Sequence, residues 1–173
     1  TMHFIKRKPM VKRMSEKEKK SLDEITFKVS RQADGWYLAA PLHDRIGGAT
    51  EASDYETLKE KVPEFVRGSL RDEFHREAGL SPNPQIRLIY TEFLCNNPAV
   101  EKILVRGYFE QGSGYGVHDD LYFQFDLHHR SFDALREMLL KVIQQQGYHN
   151  QHIEFHLEEV IRSDARYESR RSA

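Results

Sequence analysis

The stretch Ile25-Thr26-Phe27-Lys28-Val29-Ser30, followed by Asp34-Gly35-Trp36-Tyr37-Leu38-Ala39-Ala40, decides the fold class. In its first part Ile25, Phe27 and Val29 alternate with polar residues, the period-two pattern of a strand with one buried face. Asp-Gly between two such parts signals a hairpin, because the glycine takes the positive φ that a tight turn between strands needs. A β-hairpin is expected here, ended by Pro41, which cannot donate to a strand ladder. Gly47-Gly48 opens a stretch in which Ala49 to Ala52 reads equally as a third short strand or a loop.

Further along, the period changes. Ser53 or Asp54 stands where a helix N-cap belongs, and Glu56 lies in the first turn, where negative charge suits the helix dipole. Leu58, Val62, Phe65, Val66, Leu70 and Phe74 recur at spacings of three and four, which predicts a helix packed on the hairpin. Pro63 is expected to kink or split it near Lys61, and Gly79 with Ser81-Pro82-Asn83-Pro84 to close it. Ile86 to Leu94 is rich in β-branched and aromatic residues and predicts a strand.

After Asn96-Asn97-Pro98 the pattern begins again. Lys102 to Glu110 predicts a strand, Gly112-Ser113-Gly114-Tyr115-Gly116 a flexible connection, and Leu121 to Leu127 a second strand. Ser131 caps a helix running to about Gln146, Gly147 stops it, and His152 to Ile161 is the closing strand. The helix starts correspond position by position: Tyr55-Glu56-Thr57-Leu58-Lys59-Glu60 against Phe132-Asp133-Ala134-Leu135-Arg136-Glu137. An internal duplication accounts for this, and so does the average composition of amphipathic helices. The expected fold class is α+β, with two ββαβ-type units, each a small, mainly antiparallel sheet covered by a helix. Residues 23–95 and 99–162 form the units, 1–22 a basic flexible arm and 163–173 a disordered tail. The two sheets can join edge to edge or pack together, and a single chain then imitates a dimer of smaller domains.

Composition narrows the function classes. Hydrophobic residues make up 39% of the 173 and charged residues 31%, the balance of a globular chain. No apolar run approaches the ~18 residues of a membrane-spanning helix, and residues 2–20 lack the apolar core of a secretory signal, so a cytoplasmic protein is expected. Cys95 is the only cysteine, which excludes an internal disulfide and the usual multi-cysteine zinc site. The net charge of −1 argues against a protein that coats nucleic acid. The first twenty residues nevertheless carry eight basic side chains against two acidic ones, and Lys6, Arg7, Lys8, Lys12 and Arg13 are the candidate contacts to phosphate.

Residues from about 24 to 94 resemble a HicB-like domain. The resemblance rests on Ile25-Thr26-Phe27-Lys28-Val29, Asp34-Gly35-Trp36-Tyr37-Leu38-Ala39, Ile46-Gly47-Gly48-Ala49-Thr50-Glu51-Ala52, and the capped helix through Leu58 and Pro63-Glu64. It implies a partial ribonuclease-H-like sheet without the acidic catalytic cluster, serving as an antitoxin that covers a small toxin ribonuclease. Two departures stand out: Ile46-Gly47-Gly48 replaces the family's Pro-Gly step, and a second mixed unit stands where the family carries a DNA-binding module. Autorepression of an operon is therefore not expected.

The remaining candidate chemistry divides three ways. Trp36, Tyr37, Tyr108, Tyr115 and Tyr122 lie on or beside hairpins, where alternation cannot bury them all, and Trp and Tyr are favoured interface anchors. They are the expected protein-binding residues. His118, Asp119, Asp120, His128 and His129 around one strand and His149, His152 and His156 around another could converge on a divalent metal if those strands were neighbours, with His118, Asp120 and His128 the candidate ligands. Asp23, Glu24, Asp119, Asp120 and Asp126 are carboxylates of the kind a nuclease uses, although surface histidines are the simpler reading. The glycines of 112–116 do not form a phosphate loop, since a strand rather than a helix follows them. A non-enzymatic protein-binding module without cofactor is the main expectation, with a homodimer among its assemblies. A metal-dependent nuclease, or a regulator that uses the basic arm, is the alternative.

Overall fold

The alternation of Ile25, Phe27 and Val29 becomes strand β1 (Glu24–Arg31), and the turn at Gly35 returns the chain as β2 (Tyr37–Pro41). The computed structural model describes residues 23–44, 46–69, 81, 83–147 and 150–163. Within them follow β3 (Thr50–Ala52), helix α1 (Tyr55–Ser69), β4 (Gln85–Cys95), β5 (Lys102–Glu110), β6 (Gly114–Asp119), β7 (Phe125–His129), helix α2 (Phe132–Gln145) and β8 (His152–Arg162). The fold is α+β. All eight strands form one mixed sheet in the order β3-β2-β1-β4-β8-β5-β6-β7.

The chain traces the same path twice. From β1 to β3 it runs as an antiparallel meander, crosses over through α1, and lays β4 parallel to β1. From β5 to β7 it repeats the meander, crosses over through α2, and lays β8 parallel to β5. Registers correspond as well. Val29 lies beside Tyr90 and Ala39, and Gly107 beside Leu157 and Val117. Antiparallel pairing of β4 with β8 joins the two segments, and there Tyr90 faces Leu157. A local two-fold axis therefore passes through that residue pair.

Several expectations change. Each segment has four strands rather than the three of a ββαβ unit, and of the two arrangements left open the segments join edge to edge, as one sheet. Ala49 to Ala52 resolves as a strand from Thr50 onward. The glycine-rich connection is shorter than expected, because Gly114 already pairs with Glu110 as the start of β6. No strand begins at Leu121. The Asp119 carboxylate accepts from the backbone N–H groups of Leu121 (3.2 Å), Tyr122 (3.2 Å) and Phe123 (2.7 Å), and Gln124 takes a positive φ of 51°. That turn delays β7 to Phe125. Helix α1 runs unbroken through Pro63. Asp54 is its cap, with Oδ1 accepting from Thr57 N–H (2.8 Å) and Oδ2 from its hydroxyl (2.8 Å). Ser131 caps α2 through Ala134 N–H (3.3 Å). Leu70, Phe74, Gly79, the arm and residues 164–173 lie outside the described residues.

Both helices lie on one face of the sheet. Leu58, Val62 and Val66 of α1 and Leu135, Leu139 and Ile143 of α2 bury against Phe27, Leu88, Phe155 and their neighbours. The helix N-termini meet over the local axis, where the Tyr55 and Phe132 rings stack at 4.0 Å. Such a ring pair is worth about 0.5–1.5 kcal/mol beyond its buried area. The contact is reciprocal. Tyr55 N–H donates to Asp133 Oδ2 (3.1 Å), and the Glu56 carboxylate is hydrogen-bonded by the Phe132 backbone. Each helix start thus receives the other's carboxylate, where the dipole favours it.

Gly114 and Gly112 separate two costs of adding a side chain. Both have positive φ, 95° and 90°, but a Cβ at Gly114 would stand 2.7 Å from Arg130 Cα and 2.8 Å from the His129 carbonyl oxygen, whereas Gly112 faces open space. Urea denaturation is expected to show a loss of about 1 kcal/mol for Gly112→Ala. Gly114→Ala should cost at least about 2 kcal/mol, because the β6–β7 backbone must also shift.

Candidate functional site: the open face of the sheet

Side chains alternate across strands, so the face opposite the helices carries the intervening residues. Through the central strands these are Arg87, Ile89, Thr91 and Phe93 of β4, Glu154, His156, Glu158 and Val160 of β8, and Lys102, Leu104, Arg106 and Tyr108 of β5. No helix of the described residues covers them. Three apolar side chains stand out: Phe93 is 47% exposed, Val160 42% and Leu104 38%. Trp36 and Leu42 add exposed apolar surface at the two ends of β2.

Ion pairs surround these residues. Arg87 binds Glu24 (2.7 Å) and Glu158 (3.3 Å), His156 meets Glu158 (3.2 Å), and Lys102 meets Glu154 (3.4 Å). Glu154 sits in register between Phe93 and Leu104, and the His152 ring stacks on Phe93 at 4.9 Å. Beside Phe93, a groove of about 370 Å³ is lined by Arg31, Gln32, Thr91, Glu92 and Glu154. Lys28, Arg87, Lys102 and Arg106 roughly balance Glu24, Glu154, Glu158 and Asp126, so the face has no strong sign of charge.

Histidines and aspartates gather at its β6–β7 end. His118 Nε2 lies 3.0 Å from Asp120, His128 Nε2 lies 2.9 Å from Asp126, and Asp126 is 3.9 Å from His118 Nδ1. Tyr108 crosses Gly116, where a Cβ would fall 2.4 Å from its ring, and its hydroxyl reaches His128 Nε2 at 3.2 Å. The expected trio of His118, Asp120 and His128 is thus brought together through Asp126. Among the described residues, however, no group of three or more His, Cys, Asp or Glu side chains is placed to hold a metal ion. The hydrogen bond to Asp120, then its charge, holds the His118 imidazole above its ordinary pKa.

A second polar cluster lies under the helices. Glu159 and Glu92 occupy corresponding places on β8 and β4, on the covered face. Lys59 of α1 is in direct ionic contact with Glu159, which also accepts from the hydroxyls of Tyr55 and Tyr115 (both 3.3 Å). Arg136 of α2 grips Glu92 with two nitrogens (2.6 and 2.7 Å), and Tyr90 donates to the same carboxylate (2.5 Å). Tyr37 donates to Asp133 (2.6 Å). Burial first, then these carboxylates, push all four tyrosine hydroxyls far above their usual pKa. They remain neutral donors at any physiological pH. The Glu159 side chain is only 2% exposed, which places it beyond reach of a substrate.

Of the expected protein-binding residues, Tyr37 and Tyr115 are core residues, each 1% exposed, because their rings join the aromatic cluster and their hydroxyls find buried carboxylates. Trp36 and Tyr122 are exposed, and Tyr108 lies half-buried on the open face. Cys95 is half-buried at the irregularity of β4, and the neighbouring Phe93, expected inside, is exposed. Lys6, Arg7, Lys8, Lys12, Arg13 and His149 lie outside the described residues. Sequence reasoning missed Leu104 and Val160. Their signal was available, since each stands at the polar parity of its strand, opposite in phase to Val105 and Ile161. No helix of the described residues is long and apolar enough to cross a membrane. No family model, curated protein or solved structure matches the chain.

Two measurements test these electrostatics. Lys59→Met strands Glu159 in the core and is expected to cost about 3–5 kcal/mol, while the double variant Lys59→Met/Glu159→Gln recovers part of the loss in equilibrium unfolding. For His118, an imidazole NMR titration should give a midpoint above about 6.5, and Asp120→Asn should lower it. Because the folded pKa is the higher one, stability from this pair is present at pH below about 6.5 and is lost as pH rises through the folded value.

Proposed function

We propose that this chain is a non-enzymatic protein-binding module that acts by covering a partner's surface with the open face of its sheet. The observation that carries this reading is the uncovered apolar pair Phe93 and Leu104, which flank Glu154, with Val160 further along β8, all set among paired charges. Apolar centres ringed by polar groups are the anatomy of a protein interface, and the near balance of charge suits a protein partner better than a polyanion. Trp36 and Tyr108 extend the surface with side chains favoured at binding hot spots.

The antitoxin-like form of this reading takes a small toxin ribonuclease as the partner, in the cytoplasm. It is supported by the HicB-like residues of the first segment and by that segment's meander, crossover helix and parallel fourth strand. Duplication of one ancestral segment is the accompanying proposal for the chain's history. Its support is the shared register and the corresponding buried pairs Lys59–Glu159 and Arg136–Glu92.

The test starts with the tagged full chain in its native host, followed by reconstitution with the purified partner. Leu104→Asp and Val160→Asp are each expected to weaken binding at least tenfold, or about 1.4 kcal/mol, while Lys141→Ala on the exposed side of α2 leaves it unchanged. A partner with ribonuclease activity should be inhibited at one-to-one stoichiometry. Binding indifferent to both aspartate variants would sink the proposed surface, and turnover of a substrate by the purified chain would sink the non-enzymatic reading.

A further inference from the structure

The eight-stranded sheet ends in two edges that are built differently. At one end, β3 has three residues, and Lys61 Nζ donates to the Glu51 carbonyl (3.0 Å), so its backbone is partly occupied. At the other end, β7 presents Phe125-Asp126-Leu127-His128-His129, five residues that among the described residues pair with β6 alone. An open edge of this kind is a template for another strand.

The β7 sequence also fits itself. In an antiparallel pairing of two copies centred on Leu127, Asp126 of each copy faces His128 of the other. Phe125 likewise faces His129, which puts an aromatic ring against an imidazole. Asp126 and His128 project on the open face and are 59% and 53% exposed, and within one chain they already meet at 2.9 Å. Cross-strand hydrogen-bonding pairs stabilise a ladder, and the Asp126 carboxylate accepts where the His128 imidazole can donate, whereas like charges opposed to each other destabilise it. The segment is thus complementary to its own inverse. Pairing of β7 with β3 of another molecule would be head-to-tail and would propagate, but the short, occupied β3 edge disfavours it, whereas β7 with β7 closes as a two-fold dimer.

We infer that two copies of this chain pair through their β7 edges, antiparallel about Leu127, to form one continuous sheet with its open faces on the same side. The internal β4–β8 joint is the same kind of contact, made once within the chain. This inference does not depend on the identity of a partner at the open face, and dimerisation and partner binding are read by separate measurements.

The test is sedimentation equilibrium of the full chain at neutral pH, with circular dichroism to confirm the fold of each variant. A dimer is expected for the wild type. His128→Asp places carboxylate against carboxylate across the joint, and Asp126→Lys removes the acceptor that faces the imidazole; each should raise the dimer dissociation constant at least tenfold. The combined Asp126→Lys/His128→Asp variant exchanges donor and acceptor, sets an ammonium opposite a carboxylate, and should restore association. Hydrogen exchange supplies a readout free of substitutions, with protection of the 125–129 amides rising with protein concentration. A monomeric wild type, a dimer indifferent to either single charge variant, failure of the exchange variant to restore association, or concentration-dependent protection confined to another strand would each overturn the inference.

Discussion

Pairing of β4 with β8 is the constraint on which the rest of the structure depends. It runs from Gln85 opposite Arg162 to Cys95 opposite Ile153 and occupies the inner edge of both four-strand segments at once. Without it each segment would expose an eleven-residue strand edge, and the two helices would have no common floor on which their N-termini could meet. The same joint brings Glu92 and Glu159 toward the middle of the covered face. Each carboxylate is then neutralised by a cation from a helix, Arg136 from α2 and Lys59 from α1. Buried pairs of this kind add little net stability compared with apolar packing, but each leaves a heavy penalty if its partner is misplaced. They therefore hold the angular position of the helices more than they deepen the fold.

What could be read from the residues depended on the range of the interaction concerned. The first hairpin, both helices and strands β4, β5 and β8 follow local periodicity, and the caps at Asp54 and Ser131 follow local chemistry. The second meander was misread because Leu121, Phe123, Phe125 and Leu127 alternate as a strand would, while the turn is made by one side chain, Asp119, taking three backbone N–H groups. Tyr37 and Tyr115 were misplaced for a different reason. A tyrosine can be buried only if its hydroxyl finds an acceptor, and theirs lie on Asp133 and Glu159, remote in sequence. Phe93 was hidden by a strand that carries apolar residues on both parities, whereas Leu104 and Val160 stand out at the polar parity of theirs. Once the sheet order is known, parity alone assigns them to the uncovered side.

The two faces divide the labour of the chain. The covered face concentrates aromatic rings, neutral tyrosine hydroxyls and paired charges in places solvent does not reach, and so serves rigidity. The open face interleaves exposed apolar side chains with ion pairs such as Arg87–Glu24 and Lys102–Glu154. Exposed pairs like these contribute little to folding. On this face they keep Phe93, Leu104 and Val160 separated by hydrated polar groups, which limits nonspecific association.

Strand order also has a kinetic consequence. β8 is the last strand of the described residues but lies in the interior of the sheet, between β4 and β5. During synthesis the first segment can fold its meander and crossover helix while β5 to β7 are still emerging, yet β4 stays unpaired on one side until β8 has been made. Long-range pairing of this kind slows folding and prolongs the exposure of an aggregation-prone edge. Glu92 adds an unneutralised carboxylate to that edge until α2 brings Arg136, a charge that opposes adventitious stacking of nascent chains in the interval.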